Sequence, residues 1–384
     1  MNTRSQNAVL FVAVLASIAT FADSPCRVSL EHAMVDTNGV KWIDGIYLPM
    51  EGKYYSDVDE FYDRLPRNVS TNVYKGVRSG KHDSTGLLFR FRTDSAKIRF
   101  RWIPKRNALS MDHMPATGVS GIDVYRLDAE GRWSYVKTGR ITDATKGGAL
   151  DVDWKPGDAC LVNLPLYNGI KSFLMGIDKS AKVEGLGLHK SGIDKPVVFY
   201  GTSITQGGCA SRPGLAFPSI IGRDLDVPIA NLGFSGSGVM ELEMSEHLAA
   251  IDASCYVLDC LWNMSVQLVR ERYEPFIRNL RMKRPNVPIV MAERCNVYGD
   301  DRWREYDVCL KGLYMKLKNE GWGNLVYLPH TGMYALNGEG TVDGVHPNDL
   351  GMMSMAKAYG TAVKQALSCV KIDTDASLST SVIK

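Results

Sequence analysis

Four short stretches of the chain carry residue types suited to acyl-transfer chemistry. The first is Gly201-Thr202-Ser203-Ile204-Thr205-Gln206-Gly207, which follows a short apolar run. A serine in a strand-to-helix turn presents its hydroxyl at the rim of a sheet. Its own N–H then lies near a helix start, where backbone donors are free to hold an anion. Taken alone, the pattern fits a helix N-cap as well. The second stretch is Asn231-Leu232-Gly233-Phe234-Ser235-Gly236, where a glycine either lets the backbone offer an N–H to a substrate oxygen or simply turns the chain. The third is Asn263, beside Trp262, whose amide is a candidate oxyanion donor or a strand-end cap. The fourth, Asp343-Gly344-Val345-His346-Pro347-Asn348, is the most specific. Residues three apart in a tight turn can bring a carboxylate against an imidazole, fixing its tautomer and favouring the imidazolium that forms when Ser203 gives up its proton. The bland alternative is an aspartate at a helix start with an incidental histidine.

These stretches need elements to hold them, and the two halves of the chain differ in texture. From Ser24 to Asp194 the pattern is strands and turns. Leu87 to Arg92 and Lys97 to Trp102 alternate apolar with charged residues, and Ile122 to Leu127, Trp133 to Thr138 and Lys171 to Ile177 continue the series. Such alternation predicts half-buried antiparallel strands, hence a β-sandwich of jelly-roll type over 23–194. After Lys195-Pro196, Val197 to Tyr200, Ile229 to Leu232, Cys255 to Leu261, Ile289 to Ala292 and Leu325 to Leu328 read apolar throughout, as strands buried on both faces do. Helical periods lie between them: Val269, Tyr273, Ile277 and Leu280 on one face, and Leu350, Met353, Ala356 and Val363 on another. Alternating strand and helix predicts a three-layer α/β/α sandwich with a parallel sheet over 195–384, with the active site at the carboxyl ends of the strands.

In that order and setting, the four stretches resemble the blocks of the SGNH (GDSL-like) hydrolases, over Val197 to about Leu367. The resemblance implies a serine esterase with Ser203 as nucleophile, His346 as base and Asp343 as its partner. It further implies an oxyanion hole from the Ser203 and Gly236 N–H groups and the Asn263 amide. Two departures stand out. Thr202 occupies the place of the usual aspartate, and Leu261-Trp262-Asn263-Met264 replaces the usual Gly-x-Asn-Asp. The run Gly201 to Gly214 looks like the branch that carries an N-terminal jelly-roll domain. Trp262, beside Asn263, and Glu293 and Arg294, which follow another strand, are candidate substrate contacts; a surface ion pair explains the last two equally well.

The remaining features bound the function. Net charge is +3 with charges spread along 384 residues, which gives no reason to expect nucleic acid as partner. Arg4, the apolar run Ala8 to Ala19 and the polar switch at Asp23-Ser24 describe a secretory signal peptide over 1–22. The expected protein is exported, periplasmic or secreted, without stable membrane insertion once the leader is removed. Neither the eight cysteines nor the seven histidines show ligand spacing, so no metal or organic cofactor is expected. Export and a β-rich companion point to small acyl esters, acetyl above all, on carbohydrate or a small molecule. The alternatives are an acyltransferase using the same acyl-enzyme and an inactive carbohydrate-binding protein.

Overall fold

The structure is a computed structural model that describes residues 28–379 apart from 297, 299–300 and 334–336. The expected leader lies outside the described residues, among which no helix is long and apolar enough to cross a membrane.

Beyond Pro196 the apolar runs form a parallel sheet of Val197–Gly201, Ile229–Gly233, Cys255–Asp259, Ile289–Ala292 and Leu325–Leu328. Numbered along the chain, these lie in the order 2-1-3-4-5, the doubly wound order that changes direction between its first and third strands. Successive residues face opposite sides. Val197, Phe199, Cys255 and Val257 pack with helices Phe217–Leu225 and Asp349–Ser379. Val198, Tyr200, Tyr256 and Leu258 pack with Leu242–Ala250, Val266–Lys283 and Arg304–Asn319. Three layers follow from that alternation.

Two details differ from the reading of the sequence. The third strand ends at Asp259, and Leu261–Asn263 forms a single 3-10 turn. In the last helix, Leu350 and Met353 are 57% and 58% exposed, while Met352, Met355, Tyr359 and Val363 are buried with Ala356. A helix rich in Met and Ala offers two neighbouring apolar stripes. Packing selects one, with the Tyr359 ring 4.7 Å from that of Phe217.

The first half is a β-sandwich. One antiparallel sheet contains Val40–Asp44, Lys97–Pro104, Gly148–Asp153 and Ile170–Asp178. The other contains Leu88–Thr93, Ile122–Leu127, Trp133–Gly139 and Ala159–Asn163. Phe89, Phe91, Phe100, Trp102 and Phe173 fill the space between them. Ala159–Asn163 was not anticipated, because all five residues are buried and the alternation is lost. Nearby, the other face of this sheet docks on the α/β unit. Asp123, fully buried, bonds Asn163 Nδ2 (2.8 Å) and accepts from Arg212 Nη1 (2.9 Å) and the Gly214 N–H (2.8 Å).

Arg64 joins the two units at the free edge of the parallel sheet. Its Nη1 donates to the carbonyls of Asn231 and Gly233 (both 2.9 Å), Nη2 to Gly80 (2.7 Å) and Nε to Asp83 (3.0 Å). The guanidinium also lies 4.6 Å from the Phe234 ring centroid. Edge carbonyls that would face solvent or another strand are thereby satisfied. Burial pulls Arg64 down to about 10, which leaves it cationic at neutral pH. Arg64→Met would strand these buried acceptors, and removing one side of a buried charged network costs about 3–5 kcal/mol. Urea denaturation should show a loss of that size; a loss under about 1 kcal/mol would show that the edge does not depend on Arg64.

Candidate active site

Gly201 lies in register with Gly233 and with Asp259, so the first three strands end at one level. The turns that follow are tied to one another. The Phe234 N–H donates to Gly201 O (3.0 Å), and a Cβ on Gly238 would sit 2.0 Å from that same carbonyl. Ser203 opens the short helix Ser203–Gln206, and Thr202 is its N-cap, with Oγ1 accepting from the Ile204 N–H at 3.2 Å. The threonine that stands in place of an aspartate therefore has a capping role. Ser203 is 8% exposed at the rim of the sheet.

His346 reaches Ser203 from the far end of the chain. Ser203 Oγ lies 2.8 Å from His346 Nε2, and His346 Nδ1 lies 2.7 Å from Asp343 Oδ2. The other carboxylate oxygen accepts the backbone N–H groups of Val345 (3.0 Å) and His346 (2.7 Å). Gly344, at φ +83°, makes the turn that allows this wrap. Burial raises the Asp343 carboxyl, but the His346 N–H, the His346 ring and the Val345 N–H outweigh it and hold the group below its ordinary value. An ionised Asp343 accepting from Nδ1–H leaves the Nε2 lone pair toward the serine hydroxyl.

Gly236 sits at φ +62° in the turn after the second strand. Among the described residues neither its N–H nor that of Ser203 has an acceptor. Asn263 stands beside this turn. Hydrogen bonding favours its amide oxygen on the Ser237 (2.9 Å) and Gly238 (3.1 Å) N–H groups, with the NH₂ turned to the acceptors on its other side. The opposite orientation makes only one long bond, from Nδ2 to Phe234 O at 3.3 Å. Gln206 fixes the turn from the serine side: its Oε1 accepts the Ser235 N–H (2.9 Å), and its Nε2 donates to Asp83 Oδ2 (2.9 Å) and Leu166 O (3.1 Å). Gln206 lies in the serine stretch without a role legible from sequence, and Asp83 and Leu166 escaped the sequence reading, since no spacing connects the three.

Trp262, Glu293 and Arg294 form one cluster next to Asn263. The Arg294 guanidinium lies 3.8 Å from the Trp262 ring centroid and 3.6 Å from that of Trp303. Glu293 accepts from the His330 N–H and faces its Nδ1, both at 2.8 Å, and also accepts from the Tyr327 hydroxyl. Both charged groups are buried, and Arg294 stacks between the Trp262 and Trp303 rings while Glu293 is turned to Tyr327 and His330. A second histidine, His113 from the β-sandwich half, places its ring 5.5 Å from that of His346. Nothing in the local sequence marks it.

Comparison with known proteins bears on the family and the fold. Residues 194–364 match the GDSL-like Lipase/Acylhydrolase family, and residues 40–183 match the N-terminus of Esterase_SGNH_hydro-type proteins. A protein described as a GDSL-like lipase from Bacteroides ovatus ATCC 8483 is 28% identical, with a TM-score of 0.76 over 86% of this chain and 98% of its own. The salicylyl-acyltransferase SsfX3 of a tetracycline biosynthetic pathway shares the fold at 16% identity and TM-score 0.69, covering 86% of this chain and 98% of that one. A family two carbohydrate esterase from Cellvibrio japonicus does so at 11% and 0.56, covering 86% and 99%. No curated protein sequence matches the chain. The fold is that of the SGNH class. Residues 194–364 belong to the GDSL-like lipase/acylhydrolase family, and residues 40–183 carry the N-terminal unit of SGNH-type esterases.

Asp259 anchors the site from beneath. Its carboxylate accepts from Thr205 Oγ1 (2.7 Å) and the Tyr359 hydroxyl (2.8 Å), tying the serine helix to the last helix. Burial pushes it up to about 6 despite both bonds. The folded state thus binds this proton more tightly than the unfolded chain. The stability it contributes is complete below about pH 4 and is lost as pH rises to about 6, by roughly 3 kcal/mol. Asp259→Asn should therefore gain stability relative to wild type between pH 4 and 7. A difference in unfolding free energy that stays constant over that range would exclude the effect.

Proposed function

We propose that this protein is an exported serine esterase that removes small acyl groups, acetyl above all, from carbohydrate esters. The observation that carries the reading is the unbroken relay from Ser203 Oγ to His346 Nε2 (2.8 Å) and from His346 Nδ1 to Asp343 Oδ2 (2.7 Å). In the proposed reaction His346 takes the Ser203 proton as Oγ attacks the ester carbonyl. The tetrahedral oxyanion is stabilised by the Ser203 and Gly236 N–H groups and the Asn263 NH₂, each such donor being worth about 3 kcal/mol. His346 then protonates the departing alcohol oxygen. Water, deprotonated by the same imidazole, attacks the acyl-enzyme and releases the acid. Asp343 holds the tautomer and stabilises the imidazolium throughout.

A cleft of about 510 Å³ between the two units supports a sugar-sized substrate. Tyr167, Gln206 and Ser235 line it on the side of the site, and His82, Lys105 and Arg106 on the other. The Tyr167 hydroxyl donates to Ser203 O at 3.0 Å, so the cleft borders the serine turn. His82, Lys105, Arg106 and Gln206 on its walls carry groups able to hydrogen-bond a hydroxyl-rich ligand. The loop after Ser203 is packed, with residues 204–210 all buried, and does not resemble a mobile apolar lid.

Ser203→Ala and His346→Ala should each lower turnover of nitrophenyl acetate by at least ~10³-fold with the fold intact by circular dichroism. Asp343→Asn should be milder by roughly tenfold or more, because it disturbs tautomer and charge without removing the base. Retained turnover in the serine variant would remove Ser203 from the nucleophile role, and equal losses at 343 and 346 would break the assigned pairing. In a series of nitrophenyl esters, kcat/KM should be highest for acetyl. A pocket for long chains would add about 0.8 kcal/mol per buried CH₂, so an optimum at octanoyl or beyond would overturn the acetyl reading and leave the serine mechanism standing.

A further inference from the structure

His113, Cys209 and His346 come from three separate segments, yet one ligand atom of each lies within 4.8 Å of the other two. We propose that these three side chains form a zinc site at the mouth of the active centre, where Zn²⁺ acts as a reversible inhibitor.

The backbone around the three residues is built to hold them together. The Cys209 N–H donates to Pro347 O at 3.0 Å, next to His346. His113 projects from a tight turn in which Met111 and Met114 exchange backbone hydrogen bonds of 2.9 and 3.1 Å, and Met114 is buried in the core of the α/β unit. The following short helix, Ala116–Val119, rests on the cysteine's own loop. A Cβ on Gly118 would come 2.3 Å from Ala210 O, and Thr117 Oγ1 donates to Ser211 O at 2.6 Å. Two imidazoles and a thiol are the borderline-soft set that suits zinc rather than magnesium or calcium. Zinc bonds of about 2.0–2.3 Å bring their donor atoms to roughly 3.5 Å apart, so a shift near 1 Å closes the site. His113 is exposed and free to make that shift.

Two other groups of potential ligands are less suited. Asp59, Asp63 and His82 are already met by Lys81 and Lys105, and Glu293 is engaged by His330 and Tyr327. On binding, Zn²⁺ takes a lone pair from each imidazole and from the Cys209 thiolate, and the thiol proton passes to solvent. Either nitrogen of His346 that the metal occupies is lost to the relay. Nε2 faces Ser203, and Nδ1 faces Asp343.

The inhibition test rests on the proposed role of Ser203 and His346, whereas a cobalt test does not. Micromolar Zn²⁺ should inhibit hydrolysis of nitrophenyl acetate, and EDTA should restore the rate. Measured against each variant's own uninhibited rate, His113→Ala and Cys209→Ser should each need about tenfold more zinc or greater. With Co²⁺ in place of zinc, the wild-type protein should show tetrahedral d–d bands and a thiolate-to-cobalt charge-transfer band. Cys209→Ser should lose the latter, and His113→Ala should bind cobalt at least about tenfold more weakly. Absence of both cobalt signals, or signals and inhibition unchanged in both variants, would overturn the site. If esterase activity proves absent altogether, the cobalt spectra alone decide.

Discussion

The buried guanidinium of Arg64 is the interaction on which the geometry of the site depends. It is the point where a loop of the β-sandwich half meets the open edge of the parallel sheet, and its acceptors come from both units. A rigid fork with several donors can satisfy carbonyls on two separate segments at once; an ammonium on a flexible stem cannot do so with fixed direction. The strand whose edge it covers leads directly into the turn at Phe234 to Gly238. Its hold on Asn231 and Gly233 therefore sets the height from which Gly236 is presented. Asp83, whose carbonyl Arg64 also bonds, reaches the same turn by way of Gln206.

Identical carboxyl groups are shifted in opposite directions around the site because their surroundings differ. Asp343 sits where three N–H donors can reach it and is held ionised. Asp259 meets two hydroxyls in a dry interior and is raised. Asp83 is raised by burial against the opposing pull of Arg106 and Arg64, and Asp307 by burial together with the neighbouring Glu293. Desolvation pushes in one direction everywhere. Only donors that favour the anion reverse it. The one carboxylate held low in this group is Asp343; Asp307 also faces an imidazole, that of His330 at 3.4 Å, and is still raised.

The β-sandwich consequently contributes to the candidate active site. It supplies the Tyr167 hydroxyl to the backbone of Ser203, the Leu166 carbonyl and Asp83 to Gln206, and His113 to the neighbourhood of His346. Its docking face also explains why part of the first half reads as buried on both sides. Strands that would otherwise show solvent on one face are covered by the α/β unit there.

The sequence by itself determined the parallel sheet, because strands buried on both faces must be apolar at every position and helices must separate them. It also offered the pairing of Asp343 with His346, since residues three apart in a tight turn can meet, and the structure closes that contact at 2.7 Å. Ser203, Gly236 and Asn263 were legible for the same reason: each follows a strand, and parallel strands in register end at one level. Only the tertiary structure decided which stripe of the last helix is buried, because Met and Ala on adjacent faces satisfy the same period. Packing against Phe217 chose Met352, Met355 and Tyr359 over Leu350 and Met353. Glu293 and Arg294 could be placed after a strand but not oriented, and their charges turned inward to Tyr327, His330 and two indoles. The roles of Arg64, Gln206 and His113 were invisible for a common physical reason. Each acts on residues far along the chain, through contacts that leave no period and no local spacing behind.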